Sequence, residues 1–105
     1  MHGNSHENMN PHHLYAIDDV VDNEVLKFGI TDDPLGEDGL PERLRSQINL
    51  FNIVANVVRF VGRIILSGIP GRAKAEEVEA AHIADYEQKY GKKPRGNREK
   101  SGSKK

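Results

Sequence analysis

Glu79 is the acidic residue whose position in the sequence most clearly suggests chemistry. Residues 73–90 follow the breaker Gly68-Ile69-Pro70-Gly71 and predict a helix, and at 100° per residue their apolar side chains gather on one face. The members of that face are Ala75, Val78, His82, Ile83, Tyr86 and Tyr90. Glu79 falls in its middle, where a carboxylate is costly unless a cation neutralises it. That cation is either a metal ion or an arginine such as Arg72, and the pattern leaves both open.

A tyrosine and a glycine stand out in two short apolar segments near the start of the chain. The segments are His13-Leu14-Tyr15-Ala16-Ile17 and Val25-Leu26-Lys27-Phe28-Gly29-Ile30-Thr31, and with the acidic turn between them they predict a β-hairpin. A hairpin does not require the phenol of Tyr15. It does not require Gly29 either, because a glycine inside a strand weakens the strand and marks a bulge or a close approach of another group. Tyr15, Gly29 and Lys27 are therefore candidate site residues, and each is also compatible with an ordinary strand.

Two arginines accompany a second predicted helix, which begins at Pro41. The apolar residues at helical spacing are Leu40, Leu44, Ile48 and Phe51. Arg43 and Arg45 flank this stripe. A planar guanidinium group matches phosphate oxygens with two donors. Either arginine can therefore contact a phosphodiester, unless both are plain surface residues.

The charge of the chain is unevenly distributed. The 105 residues have a formal net charge of −1, yet residues 1–40 contain nine acids and one base, whereas residues 41–105 contain fourteen bases and seven acids. The basic end either neutralises phosphates or simply remains solvated. The length predicts one small domain, which we place at residues 13–98, with a leader or linker at 1–12 and a basic tail at 99–105. Cysteine is absent, which excludes disulfides and thiolate metal sites, and residues 1–10 lack a signal-peptide pattern.

Residues 53–69 are compatible with more than one structure. As a helix, the segment separates its polar residues from its valines and isoleucines. As a strand from Val57 to Leu66, it benefits from a high density of β-branched residues, which favours the extended form. Periodicity alone leaves this choice open. A membrane-spanning helix is disfavoured because polar residues interrupt the apolar run: Asn52, Asn56, Arg59 and Arg63.

In chain order, these residues resemble the GIY-YIG nuclease superfamily. His13-Leu14-Tyr15 stands where that family has Gly-Ile-Tyr, and Lys27-Phe28-Gly29 stands where it has Tyr-Ile-Gly. Further segments are similar to the toxin domains at the C-termini of bacterial polymorphic toxins. They are Lys27-Phe28-Gly29-Ile30-Thr31, Arg43 with Ser46-Gln47-Ile48-Asn49, Ile69-Pro70-Gly71-Arg72 and Pro94-Arg95-Gly96-Asn97. The resemblance covers residues 12–98.

The resemblance implies an α+β fold in which helices flank a three-stranded antiparallel sheet, with a helix at residues 41–55 and a third strand at 57–68. It also implies an endonuclease that cleaves phosphodiester bonds of nucleic acid with Mg²⁺ or Mn²⁺, DNA being the expected substrate and RNA remaining open. By matched position, the expected catalytic residues are Tyr15, Lys27 and Arg43, and the expected metal ligand is Glu79. The expected substrate-binding residues are Gly29, Arg45, Arg72 and Asn97.

Lys27 is the main departure from the broad family, which has a second tyrosine at this place. The toxin subgroup is similar to this sequence in having a lysine here, so the departure narrows the resemblance from the broad family to that subgroup. We therefore expect a monomeric antibacterial effector that is delivered into the cytoplasm of a target cell, without membrane integration, and that has a cognate immunity protein. The alternative is a noncatalytic module that binds nucleic acid or a protein through its basic tail.

Overall fold

The computed structural model describes residues 9–98, which form a three-stranded antiparallel sheet and two helices. The strands are β1 (Pro11–Asp19), β2 (Glu24–Thr31) and β3 (Phe60–Pro70), and their order in the sheet is β2-β1-β3. Helix α1 (Glu42–Ala55) connects β2 to β3, helix α2 (Arg72–Tyr90) follows β3, and a 3-10 turn spans Arg95–Asn97. Neither helix in the described range has the length and hydropathy of a membrane span. The predicted α+β fold is confirmed.

Strand β1 begins earlier than the sequence indicates. Pro11 pairs with Pro70 and His12 pairs with Ile69, and the side chain of His12 is fully buried. Residues 11 and 12, expected as the end of a leader, therefore belong to the sheet. Residues 1–8 of the expected leader and the expected basic tail, residues 99–105, lie outside the described residues.

The ambiguous segment, residues 53–69, divides between α1 and β3. Helix α1 ends where Asn56 adopts a left-handed backbone conformation, with φ of 59°. Asn52 then joins the helix to the strand, since its Oδ1 accepts the backbone N–H groups of Arg59 and Phe60 while its Nδ2 donates to the Phe60 carbonyl. The strand begins at Phe60, three residues later than expected, because residues 57–59 are used to turn the chain.

The sheet separates two apolar clusters, one beneath each helix. The cluster beneath α2 contains Leu14, Ala16, Phe28, Ile30, Ile69 and Ala75. The cluster beneath α1 contains Tyr15, Ile17 and Leu44. Alternate residues of β1 thus point to opposite faces, as strand geometry requires, and the central strand is buried on both. Tyr90, predicted on the inner face of α2, is instead exposed at the end of that helix.

Gly29 lacks a side chain where the ring of Tyr15 needs the space. The two residues are paired across β1 and β2, and a Cβ on Gly29 would overlap the ring and hydroxyl of Tyr15. The phenol can therefore lie across β2 instead of standing away from it. This close approach explains why a glycine stands inside a strand.

The buried carboxylate of Asp19 connects three segments that are far apart in the sequence. Its Oδ1 accepts the backbone N–H groups of Val21 and Asp22, at 3.0 and 3.1 Å, in the hairpin turn. Arg59, immediately before β3, donates to both carboxylate oxygens, with Nε–Oδ1 at 3.0 Å and Nη2–Oδ2 at 2.6 Å. Arg95 donates through Nη2 to Oδ2 at 2.7 Å. Chiefly because Arg59 hydrogen-bonds to it, the pKa of Asp19 is lowered to about 2.

Three carboxylates near this connection lie close enough together to hold a metal ion. They are Asp19, Asp22 and Glu24. However, Arg59 also pairs with Asp22 at 3.1 Å, and Arg95 Nε pairs with Glu24 at 3.0 Å. Because each of the three acids is already paired with at least one guanidinium group, the cluster is an ion-pair network that holds the fold together.

We expect Gly29→Ala to lower the free energy of unfolding by about 2 kcal/mol, the usual cost of forcing an extra methyl into a packed space. Urea denaturation measures this loss. In a Tyr15→Leu background most of the loss should disappear, because the ring that overlaps the new methyl is gone. An undiminished effect in that background would contradict the close approach.

We expect Asp19→Asn to lower the free energy of unfolding by about 3 kcal/mol at pH 7, as when one partner is removed from a buried ion pair. Since the pKa of Asp19 is about 2 in the fold and 3.8 ordinarily, its contribution is complete above about pH 4 and is lost as the pH falls towards about 2. The variant should therefore show a flatter pH dependence over this window in urea titrations. Asp22→Asn, which removes a half-exposed acid, should cost about 1 kcal/mol or less; equal losses would argue against the central role of Asp19.

Candidate active site

Tyr15 extends its hydroxyl from the central strand towards the first turns of α1. The residue is 2% exposed, and its hydroxyl donates to Oε1 of Gln47 at 3.1 Å. The Arg43 guanidinium lies near enough to this hydroxyl to favour the ionised phenol. Because Arg43 and Gln47 are four residues apart, they lie on the same face of the helix. Helix α1 therefore supplies a hydrogen-bond acceptor and a positive charge beside the phenol.

The environment of Tyr15 keeps its phenol protonated at neutral pH. Burial raises the pKa of Tyr15 above its ordinary value of 10.0, and the Arg43 cation acts in the opposite direction without reversing the shift. The charge of Glu79 adds to the increase. A role as a base would therefore require a further cation near the hydroxyl.

Lys27 lies on β2, where it is half-buried and pairs across the sheet with Ile17. Burial lowers the pKa of Lys27 below its ordinary 10.5, Glu79 opposes this change, and Arg43 reinforces it. The cation that lowers the pKa of Tyr15 is Arg43, whereas the charge that acts most strongly on Lys27 is that of Glu79.

Glu79 is half-buried on α2, as the helical periodicity predicts. Burial raises the pKa of Glu79 above 4.5, while the charges of Lys27 and Arg72 act to lower it. Arg72 itself pairs with Glu76, with Nε–Oε2 at 3.1 Å. The nearby bases therefore offset only part of the cost of burying the ionised Glu79 carboxylate. This carboxylate can supply one ligand to a metal ion.

Arg43 and Arg45 have different surroundings although they are two residues apart. Arg45 forms ion pairs with Glu42 at 3.2 Å and with Asp38 at 3.5 Å, and its guanidinium packs against Gly36. Two residues correspond to about 200° of rotation on a helix. Arg43 therefore belongs to the cluster around Tyr15, and Arg45 stabilises the loop that precedes α1.

Asn97 is engaged with the backbone of β2. Its Oδ1 accepts the N–H of Phe28 at 2.7 Å, and its Nδ2 donates to the Phe28 carbonyl at 3.0 Å. The adjacent Gly96 lies against Cβ of Lys27. Asn97, predicted to bind substrate, thus uses both polar atoms of its amide to attach the C-terminal segment to the strand that carries Lys27.

A cavity of about 570 Å³ lies away from this cluster, between the hairpin turn, the end of α2 and the C-terminal segment. Its lining includes Asp19, Glu24, Tyr90 and Arg95 and none of the residues around Tyr15. Beside members of the ion-pair network, the lining contains the charged residues Asp18, Lys92 and Arg98. The candidate active site is therefore not this cavity. It is the cluster of Tyr15, Lys27, Arg43, Gln47 and Glu79, which we identify from the effects of its charges on the pKa values of its members and from the hydrogen bond between Tyr15 and Gln47.

Gln47 is the member of the cluster that sequence reasoning does not single out. It appears only inside the matching segment Ser46-Gln47-Ile48-Asn49. The signal that could identify it is its spacing of one helical turn from Arg43, since a residue four positions after another on a helix faces the same neighbour.

We expect Arg43→Gln to raise the pKa of the Tyr15 phenol, because the cation that opposes the effect of burial is removed. Titration of tyrosine ¹³Cζ resonances measures this pKa, and Tyr15→Phe identifies the signal. Arg45→Gln should leave the pKa of Tyr15 unchanged, because Arg45 faces the loop. Equal shifts in the two variants would contradict the assignment of Arg43 to the cluster.

Comparison with known proteins was consistent with a toxin domain. The family model described as URI fold toxin 2 matches residues 5–91, a span that contains Tyr15, Lys27, Arg43, Gln47 and Glu79. No curated protein and no solved structure shows significant similarity to the chain. Since the match covers well over half of the 105 residues, the chain belongs to the URI fold toxin 2 family and is a toxin domain of the polymorphic-toxin type.

Proposed function

We propose that this toxin domain is a metal-dependent endonuclease of the GIY-YIG type, with DNA as its first substrate to test. The observation that carries the proposal is the convergence of Tyr15, Lys27, Arg43 and Glu79. Each comes from a different element, and the charges of Lys27, Arg43 and Glu79 each act on the pKa of another member of the cluster. Coupled ionisable groups in partly buried positions are concentrated at functional sites.

The side chains of the cluster have complementary abilities towards a phosphodiester. Arg43 can donate two hydrogen bonds to phosphate oxygens and neutralise part of their charge. Lys27 adds a second positive charge on β2. The Tyr15 hydroxyl, held by Gln47, can orient the attacking water and accept its proton once a further cation lowers the pKa of the phenol.

The cluster is chemically suited to a divalent cation at Glu79. Burial raises the pKa of this carboxyl even though Lys27 and Arg72 oppose the change. A further positive charge nearby would therefore stabilise the ionised form. One carboxylate is sufficient for Mg²⁺, which usually keeps several of its waters. When bound, Mg²⁺ or Mn²⁺ would polarise the scissile phosphate and stabilise the leaving oxygen.

The remaining expected residues support the cluster in different ways. Arg72 pairs with Glu76 through Nε, but it lies close enough to Glu79 to affect its pKa, so we retain it as a substrate contact at the edge of the cluster. Gly29 admits the Tyr15 ring. We assign Arg45 and Asn97 to positioning the loop before α1 and the C-terminal segment, because their polar groups are already engaged.

We further propose that the domain is an antibacterial effector that acts in the cytoplasm of a target cell and is neutralised in the producing cell by a cognate immunity protein. Membership of a toxin family supports this proposal. The nucleic acid of the target cell is then the substrate, and its cleavage accounts for toxicity.

We expect Glu79→Gln to abolish Mg²⁺-dependent nicking of plasmid DNA without destabilising the fold. The neutral amide removes the metal ligand, and it also removes an ionised group that burial disfavours. Agarose gels with Mg²⁺ and with EDTA measure the cleavage, and urea denaturation measures stability. Glu77→Gln, at an exposed position of the same helix, is the matched control and should cleave like the wild type.

Two outcomes would contradict the proposal. Wild-type protein that leaves plasmid and RNA intact with Mg²⁺ and Mn²⁺, while shifting them on a native gel, would identify a noncatalytic binding module. Cleavage that persists in Glu79→Gln at the wild-type rate would show that this carboxylate is not the metal ligand.

A further inference from the structure

His13 and Ser67 form a hydrogen-bonded pair on the sheet face that carries Tyr15. The pairing of β1 with β2 is regular from His13 to Ile17, so residues 13, 15 and 17 point to the same side of the sheet. Nδ1 of His13 lies 3.1 Å from Oγ of Ser67 on β3. His13 is half-buried and Ser67 is exposed. The imidazole ring is therefore the next side chain to the Tyr15 phenol along this face, and part of it is accessible to a ligand.

An irregularity in β3 brings Ser67 to this ring. The pairs on either side of His13 leave two residues of β3, Ser67 and Gly68, opposite this one residue of β1. This arrangement is a β-bulge, and Gly68 accommodates it with a φ of 68°. Bulges change the direction of side chains and are common next to active sites.

The hydrogen bond to Ser67 also decides what the other ring nitrogen of His13 can do. We assign the Ser67 hydroxyl as the donor to Nδ1, which leaves the proton of a neutral imidazole on Nε2. A charged imidazole carries a proton on Nε2 as well. Within residues 9–98, Nε2 of His13 has no hydrogen-bond partner. The ring therefore offers a donor to a ligand in both of its charge states.

The neighbouring histidine, His12, is unsuited to this role. It pairs with Ile69, which belongs to the apolar cluster beneath α2, so its side chain points to the opposite face. It is fully buried there, and its Nδ1 donates to the Asn10 carbonyl at 2.7 Å.

Helix α1 leaves the His13 end of the face uncovered. Leu44 of this helix packs against Gly62, which pairs with Ile17. Ile17 and His13 lie on opposite sides of Tyr15 along β1. The body of the helix therefore covers the end of the face that is remote from His13.

The pair extends the catalytic cluster across the sheet. Lys27 lies on β2, and the charge of Glu79 acts on it there. Tyr15 and His13 lie on the central strand, and Ser67 lies on β3. Strands β2 and β3 are two strand spacings, or about 10 Å, apart. Nucleotides of one DNA strand advance about 3.4 Å along the duplex axis, so a row of this length reaches beyond a single phosphodiester.

We propose that His13 is a substrate-binding residue of the nuclease and that Ser67 positions it. Nε2–H of His13 donates to an oxygen of a phosphate next to the scissile one, while the Ser67 hydroxyl holds the ring. Glu79, the proposed metal ligand, acts on the β2 side, whereas Ser67 holds the ring towards β3. His13 therefore contacts a neighbouring phosphate and not the leaving oxygen, and the nucleic acid strand crosses the sheet from β2 to β3. The inference rests on the nuclease function proposed above.

The first test measures KM and kcat for a short DNA duplex whose cleavage is followed at one mapped linkage. We expect His13→Ala to raise KM about tenfold with kcat nearly unchanged, because a hydrogen bond to a charged phosphate is lost equally from the bound and the transition state. His13→Gln keeps an N–H donor and should recover most of this loss. Leu66→Ala, at an exposed residue beside Ser67, is the matched control and should cleave like the wild type.

Ser67 is tested as a positioning residue. Ser67→Ala should raise KM about threefold, because the ring keeps its donor but loses its fixed direction. Ser67→Thr keeps the hydroxyl and should behave like the wild type. If Ser67→Ala lowers stability in urea but leaves KM unchanged, the serine has only a structural role and the proposal is wrong.

A methylphosphonate scan identifies the phosphate. Each phosphate on either side of the mapped linkage is replaced in turn by a methylphosphonate, which removes its negative charge. In the wild type, one of these replacements should raise KM about tenfold. In His13→Ala the same replacement should have little further effect, because the contact is already gone. Unchanged sensitivity of His13→Ala at every flanking phosphate would overturn the proposal.

The two proposals can fail separately. Equal KM values for the wild type and His13→Ala, with Mg²⁺-dependent cleavage intact, would refute only the role of His13. If the chain binds the duplex without cleaving it, the nuclease proposal fails, and dissociation constants from fluorescence anisotropy then decide the role of His13. Weaker binding by His13→Ala than by Leu66→Ala supports the contact, and equal binding overturns it. A chain that does not bind nucleic acid would overturn both proposals.

Discussion

The contact between the ring of Tyr15 and the backbone of Gly29 is the constraint on which the rest of the site depends. It requires β1 and β2 to pair in one register, because a slip of one residue would turn the phenol to the opposite face of the sheet. Once the ring lies across β2, its hydroxyl meets the face of α1 that carries Arg43 and Gln47. The same register places Lys27 opposite Ile17, on the next strand position of that face. One close approach thereby couples the hairpin to the helix that completes the cluster.

The electrostatics of the cluster result from incomplete solvation of opposite charges. Burial disfavours every ionised form, so it raises the pKa values of Tyr15 and Glu79 and lowers that of Lys27. The neighbouring charges oppose these changes only in part. In the free chain the ionised forms of these groups are therefore only partly stabilised, and binding of an anion or a cation would stabilise them further. This is a common property of sites that are organised before their ligand binds.

Periodicity is sufficient to predict some parts of this arrangement. Glu79 is identifiable because a helix repeats every 3.6 residues, and its half-buried position follows from that repeat. Residues 53–69 are not predictable in the same way, because their β-branched residues suit a strand while their polar spacing suits a helix. The choice depends on Asn52, whose amide turns the chain towards β3. The partners of Asp19 and Asn97 lie up to 76 residues away, and no local pattern encodes contacts at that distance.

The connection at Asp19 has a consequence for the order in which the chain can fold. Its carboxylate lies in the first quarter of the sequence, one partner lies near the middle, and the other is Arg95, close to the end. Closing such long loops costs conformational entropy before the contacts form, so this part of the structure forms late and slows folding. A chain that emerges from a ribosome or a pore with its N-terminus first keeps Asp19 only partly neutralised until the turn that carries Arg95 has emerged.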